Sequence, residues 1–483
     1  FLFLRIMNNT FKTPYFKLLF FTFTSLSLCA QISLPPFFSD HMVLQQEQKI
    51  VLFGKAAPYE KVTGIFKGEV SKTSANPNGS WRLVFSPSKA GGPYQLKISA
   101  KNTIKFNNVF VGEVWFCSGQ SNMGWPLYKS ENGVREVEQS LHDKIKLFNV
   151  RRSMSGIPTK DLDTLNKWTS CNPKTTKNFS AVAYYFGREL YKRYQVPIGL
   201  IHSSWGGSSI EAWMNADAFA DDKNKYELIK KIKTLNLNQL EQDYKVEEKK
   251  YNIYLDEVDL GLKQNWHLVQ QNYGSWKTMQ LPNVWKRSPL KQRVGVVWVS
   301  KSITLSYQDT AGDLELSFGL IDNEDITYFN GTRVGSINKN DVLRNYIVPK
   351  ELLKHGENII TVRVKNPLDI GGFRSGENSF YFRTILEKVS LAGNWRYKVG
   401  TPKIKEPPIR VHPKYFPSSL YNAMLYPFFD YNIRGVLWYQ GESNVSRVTE
   451  YGKLFPMMIK DWRAKWQNNI PFLFVQLPNR ANM

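Results

Sequence analysis

Along residues 32–108, apolar and polar positions change places every one or two steps, as they do when one strand face is buried and the other wet. Lys49-Ile50-Val51-Leu52-Phe53-Gly54 and Tyr94-Gln95-Leu96-Lys97-Ile98-Ser99 nearly alternate, and Asn78-Gly79-Ser80 supplies a turn. Such short strands predict a small β-sandwich over 31–108. From residue 109 the period changes. The apolar run 109–117 reads as a strand buried on both faces. Segment 180–194 puts Val182, Tyr185, Phe186 and Leu190 on one helical face, and 198–201 is a second apolar strand. Strand, helix, strand predicts an α/β fold with a parallel sheet and helices on both faces.

A charged helical stretch at 226–254 interrupts the sheet pattern, and from 266 to 391 the strands return in antiparallel style. The clearest hairpin is Ile326-Thr327-Tyr328-Phe329, Asn330-Gly331, Thr332-Arg333-Val334, because Asn-Gly fits a two-residue hairpin turn. This all-β unit has the pattern of a jelly roll. After residue 420 the buried-strand pattern resumes, with a strand at 435–439, a helix at 448–466 and a strand at 472–476. The jelly roll is therefore expected to be inserted into the α/β domain. The division is 1–30, upstream residues and leader; 31–108, N-terminal β-sandwich; 109–225, first part of the α/β domain; 226–265, helical connection; 266–395, inserted jelly roll; and 396–483, second part of the α/β domain.

Composition adds less. A chain of 483 residues is too long for one core and suits roughly three units. Hydrophobic residues at 42% and charged residues at 22% give the balance of a folded soluble protein. Aromatics at 14% suit a sugar-handling protein, although most such rings serve the core. The net charge of +23 is spread along the chain, its longest cluster being Lys230, Lys231 and Lys233, and no nucleic-acid-binding motif accompanies it. It reads as a solubility trait or as attraction for acidic glycans, not as a nucleic-acid surface. Met7 is taken as the start. Lys12 and Lys17 precede the apolar run 18–23, and Ser27-Leu28-Cys29-Ala30 offers a small-residue exit, the order of a signal peptide. A lipoprotein reading through Cys29 is weaker, because Leu28 stands where a small residue is wanted. Cleavage after Ala30 would leave Cys117 and Cys171, read as buried free thiols. No later stretch is apolar enough to cross a membrane, so the expectation is a soluble protein that is secreted or periplasmic. Oligomeric state has no signature here.

The chemistry gathers where three apolar strands end. The first runs into Ser118-Gly119-Gln120-Ser121-Asn122-Met123, the second into His202-Ser203-Ser204-Trp205-Gly206-Gly207, and the third into Gln440-Gly441-Glu442-Ser443-Asn444. In a parallel sheet, functional groups collect beyond the carboxyl ends of the strands, so three such tips on one edge predict a site. Ser121 is the candidate nucleophile; Gly206 and Gly207 offer backbone donors for an oxyanion, and Gln440 a side-chain donor. Gln120, Asn122 and Glu442 complete the polar surround. Each has a plainer reading: a helix N-cap for Ser121, a turn for Gly206-Gly207 and an ion pair for Glu442. The elbow of the α/β-hydrolases does not fit, since Met123 stands where Gly-x-Ser-x-Gly needs its last glycine. No ligand pattern such as His-Glu-x-x-His occurs, so neither metal nor cofactor is expected.

The segment 112–123 resembles the nucleophile block of the sialate O-acetylesterase family, a branch of the SGNH hydrolases. Residues 203–213 are similar to its second block, with Ser208 where threonine is usual, and 436–444 to its third. The start at 32–45 and the stretch 313–335 with 346–349 and Gly371-Gly372 are similar as well. The resemblance implies an SGNH-type, flavodoxin-like sheet and a galactose-binding-like insert. It implies a metal-free serine hydrolase removing acetyl groups from sugar hydroxyls, with Ser121 as nucleophile and an O-acetylated sugar or glycan as substrate. Acetylated xylan is an alternative substrate; a non-catalytic glycan-binding protein is the alternative of another class. The family places an Asp-x-x-His block after the strand matching 472–476, and the residues to Met483 contain neither member. The chain is therefore expected to be C-terminally truncated and weakly active at best. His202 is the one candidate surrogate base.

Overall fold

The structure, a computed structural model, describes residues 31–268, 273–290, 294–367, 371–409 and 411–477. The leader read at 1–30 lies outside the described residues. Two compact units emerge: one combines residues up to 153 with 157–226 and 417 onward, the other 154–156 with 227–416.

The first unit is organised by one strand, Thr103–Gly119. Its first half pairs antiparallel with Gly91–Ser99, which carries Lys61–Phe66 and Glu69–Ser74 beyond it. A separate two-stranded sheet, Ile50–Lys55 with Ser80–Phe85, packs against these strands, Phe66 meeting Phe85 edge-on at 6.1 Å. The second half of Thr103–Gly119 pairs in parallel with Ile198–Ser204 on one side and Gly435–Tyr439 on the other. The strand thus runs unbroken through residue 108. Val109, Val111, Val114, Phe116 and Cys117 are all fully buried, which is why this stretch reads as a continuous apolar run.

Across the parallel part the order is His142–Asn149, Ile198–Ser204, Thr103–Gly119, Gly435–Tyr439, Phe472–Phe474. Of the four strands read from the apolar runs, the first thus lies between the second and the third, and His142–Asn149 is an additional strand outside Ile198–Ser204 that the pattern did not reveal. His142–Asn149 pairs on its outer side with the antiparallel Trp168–Cys171, which closes that edge. The returning chain fills the inner slot beside Thr103–Gly119.

Helices cover both faces of this sheet. Ala181–Tyr194 starts at Ser180, whose side chain accepts the Ala183 N–H at 3.1 Å. Ala181, Ala183, Tyr184 and Gly187 are its buried residues, one position round from the face expected; Val182, Tyr185, Phe186 and Leu190 are half-buried against the same core of Trp115, Cys117, Leu147 and Leu200. On the opposite face, Trp462 and Trp466 of the helix Val448–Trp466 meet Phe116 at 6.1 and 5.8 Å. Odd and even strand positions thus serve different helices, as the two-residue period requires. Cys117 and Cys171 are buried free thiols, and burial pushes both well above the ordinary thiol range, Cys171 to about 12. No helix among the described residues is long and apolar enough to cross a membrane.

The second unit contains the charged helices Lys223–Ile232, in part, and Leu237–Glu257, followed by antiparallel strands. A six-stranded and a four-stranded sheet enclose one core that includes Val297, Leu316, Phe318, Val362, Phe380 and Trp395. The hairpin joining Glu324–Phe329 to Thr332–Asn338 turns through Asn330 and Gly331, both left-handed at φ 47° and 83°. That is the two-residue turn that Asn-Gly favours.

Gly119 ends the long strand at φ 143°, and a Cβ there would stand 2.0 Å from the Tyr439 carbonyl oxygen. Gly119→Ala is expected to cost about 2–4 kcal/mol, since backbone cannot yield as a side-chain end can. Urea or thermal unfolding of the variant checks this; a midpoint equal to wild type would contradict the close approach.

Candidate active site

Three strand ends form the site: Gly119, Ser204 and Tyr439, registered side by side by the pairs Ser204 with Gly119 and Tyr439 with Gly119. Backbone bonds carry the register past the strands. Trp205 N–H donates to Gly119 O at 3.2 Å and Gln120 N–H to Tyr439 O at 3.0 Å. Ser121 stands in the turn just beyond, exposed, and Gly124 N–H closes that turn on Gln120 O at 3.1 Å. Met123, the residue that breaks the elbow pattern, is fully buried and accepts the Ser180 hydroxyl at 3.6 Å, so it anchors the turn. Ser121 is therefore a tip residue and caps no helix.

Gly206 faces Ser121 directly: a Cβ on Gly206 would lie 3.5 Å from the Ser121 Cβ. Gly207 adopts φ 78°, which turns the chain there, and its carbonyl accepts the Ser443 hydroxyl at 2.9 Å. Gln120 reaches across to the third tip, its Oε1 accepting the Ser443 N–H at 3.3 Å. Asn122 donates its amide to Glu442 Oε1. The other Glu442 oxygen is buried without a hydrogen-bond partner among the described residues. Glu442 is thus an amide acceptor, and among the described residues it has no salt-bridge partner of the kind its plainer reading needs. The structure brings all of Ser121, Gly206, Gly207, Gln120, Asn122 and Glu442 to one edge.

Gln440 needs a correction. Its Nε2 donates to Ser208 O at 3.2 Å and to Asn444 Oδ1 at 2.8 Å, and Asn444 Oδ1 also accepts the Ile210 N–H at 3.0 Å. Two acceptors fix the amide's orientation and occupy both its hydrogens, so Gln440 has no donor left for an oxyanion. It is a strut between the second and third tips. Asn444 is the residue that sequence reasoning passed over. Besides these bonds it donates to Glu211 Oε2 at 3.0 Å, and Arg447 pairs with the other Glu211 oxygen. Burial alone would raise the Glu211 carboxyl, but Arg447 and Asn444 hold it below its usual range. The available signal was an acid set in the apolar run Ile210-Glu211-Ala212-Trp213, which cannot be buried without partners.

His202 does not serve Ser121. Its Nδ1 bonds Asn149 Oδ1 at 2.8 Å and its Nε2 bonds the Ser204 hydroxyl at 2.7 Å. Burial, with the Arg152 guanidinium adding to it, pushes this imidazole down to about 4. A neutral ring then donates from Nδ1 and accepts at Nε2. Among the described residues no hydrogen bond reaches the Ser121 hydroxyl, and no group of three or more His, Cys, Asp or Glu is placed to hold a metal.

Two outcomes follow from this bracing. Asn444→Ala strands the Gln440 amide, the Ile210 N–H and one Glu211 oxygen, so it should lower stability by about 2–4 kcal/mol in chemical unfolding. Asn444→Asp should fail to restore it, because it places a second carboxylate beside Glu211. His202 gains its proton at about 4 when folded but near 6.5 when unfolded, so the unfolded chain takes up the proton first as pH falls. Its contribution to stability is complete above about 6.5 and declines toward 4. The wild-type urea midpoint should therefore fall more steeply between these values than that of His202→Gln; parallel slopes would contradict the buried neutral ring.

A family model described as carbohydrate esterase, sialic acid-specific acetylesterase, matches residues 111–255 and 412–483, the segments that supply all three tips. The chain is 31% identical over 204 residues to the sialate O-acetylesterase of Rattus norvegicus, covering 38% of this chain and 37% of the relative. It is 32% identical over 197 residues to that of Homo sapiens, covering 37% and 38%. The alignments thus span under two-fifths of these relatives' lengths. Among solved structures, a carbohydrate acetylesterase from Xanthomonas citri shares the fold, with a TM-score of 0.52 and 20% identity over 92% of this chain and 60% of that one. With the tips and their register in place, the matched segments are the ones that build the site: residues 111–255 and 412–483 are similar to the sialic acid-specific acetylesterase family of carbohydrate esterases.

Proposed function

We propose that the protein is a carbohydrate O-acetylesterase in which Ser121 is the nucleophile, acting on O-acetylated sialic acid or a related glycan. The observation that carries this reading is the juxtaposition of an exposed serine with the Gly206 backbone, a Cβ on which would stand in contact with the serine's own, at the edge where three strand tips meet. In the reaction the Ser121 oxygen bonds to the acetyl carbon and the carbonyl oxygen takes up negative charge. Backbone N–H groups of Ser121 and of the Gly206-Gly207 turn are assigned to that oxyanion. The sugar alkoxide leaves with a proton, and water then releases acetate from the acyl-serine. A base must take the hydroxyl proton during attack, and this role falls to none of the described histidines that the tips contain, His202 being bonded elsewhere.

Asn122 and Glu442 are assigned to substrate positioning, since the pair sits beside Ser121 and leaves one carboxylate oxygen unpartnered. The SGNH-type assignment of the sheet, the jelly-roll reading of the second unit and export through the leader belong to this same proposal.

In a full-length form, Ser121→Ala is expected to abolish acetate release from 9-O-acetylated sialic acid, by several orders of magnitude, with circular dichroism unchanged. Release by the variant within a few-fold of wild type would remove Ser121 from the mechanism. Acetylated xylan assayed in parallel decides the substrate: faster turnover there would keep the nucleophile and discard the sialic acid assignment.

A further inference from the structure

A cleft of about 750 Å³ opens in the first unit, away from the three strand tips and sharing no lining residue with them. It forms where Ile50–Lys55 pairs with Ser80–Phe85 and where Lys160 and Asp430 approach from later in the chain. In that pairing Phe53 stands opposite Arg82 and Lys55 opposite Ser80, so an aromatic ring and two cations share one face of the ribbon. Gly54 stands opposite Trp81, whose indole also lines the cleft.

Two features make this more than a crevice. Phe53 contributes an aromatic wall, with the Lys160 ammonium 5.5 Å from its ring centre. The charges are also arranged around a carboxylate: Asp430 is held by Arg82 at 3.5 Å and by Lys160. Lys55, Arg82 and Lys160 outnumber Asp161 and Asp430 in the lining, so one positive charge remains unmatched. The Lys55 ammonium touches a backbone carbonyl, that of Asn78, at 3.3 Å.

We propose that this cleft is an accessory site for an anionic sugar, a sialic acid or uronic acid residue of a glycan. The sugar carboxylate is taken by Lys55 and Arg82, and the apolar face of the pyranose lies on Phe53. A volume of this size holds one or two sugar rings. The site goes beyond the esterase reading and does not depend on Ser121: it would tether a substrate glycan or the protein itself to an acidic polysaccharide. Because Lys55 and Arg82 are exposed, the charge component is screened by salt.

The test is isothermal titration of the protein with N-acetylneuraminic acid, which carries no O-acetyl group, and with methyl galactoside as a neutral control. Saturable millimolar binding is expected for the acid only, weakening with added salt. The surface double variant Lys55→Gln/Arg82→Gln should weaken it at least tenfold. Hydrolysis of p-nitrophenyl acetate should be the same in the double variant as in wild type, which separates this site from the esterase site. Absence of saturable acid binding, equal affinity for methyl galactoside, or undiminished binding by the double variant would each overturn the proposal. The last outcome would place the sugar at the strand tips instead.

Discussion

Everything at the candidate site is referred to a single strand whose last residue has no room for a side chain. Thr103–Gly119 is hydrogen-bonded on both sides over its second half, and at its end Gly119 brings its backbone against the Tyr439 carbonyl. That contact draws the first and third tips together, and the bond from Trp205 to Gly119 O draws in the second. A serine placed two residues beyond such a point inherits the rigidity of the sheet although it is itself exposed. A side chain carried just past a fully paired strand needs little further support from its own loop to keep its position.

Polar bracing does the rest. Asn444 accepts two hydrogen bonds and donates one, and Gln440, Glu211 and Arg447 are tied through it into one network between the second and third tips. Unlike a hydrophobic contact, such a network has one low-energy arrangement, because each donor has a designated acceptor. It fixes the distance between tips that the surrounding apolar core alone would leave adjustable.

Much of this was legible in the chain, and what escaped has a physical explanation. The Asn330-Gly331 hairpin and the three apolar runs ending in polar, Gly-containing tips depend on local sequence, so local pattern revealed them. The edge pair of His142–Asn149 and Trp168–Cys171 escaped, because whether a short segment pairs there depends on the sheet edge it meets. Gln440 was misjudged for the same reason: its type names a donor, but whether that donor is free depends on Ser208 and Asn444. The helix Ala181–Tyr194 was read one position off because small residues, Ala183 and Gly187, approach the sheet more closely than the larger ones that dominate a hydrophobicity pattern.

The span between tips also governs when the site can exist. Asn122 and Glu442 are 320 positions apart in the chain, and a compact unit of some 190 residues lies in the interval. During synthesis the serine-bearing strand emerges long before the strand that must lie beside it, so one side of Thr103–Gly119 waits unpaired. Pairing over so long a separation is slow for an open chain. A second unit that folds by itself in the meantime replaces a long floppy connection by a compact one, and the entropy of closure falls accordingly. The order of synthesis thus bears on the architecture: the three tips can meet only once residues 435–444 have emerged, after the whole of the second unit.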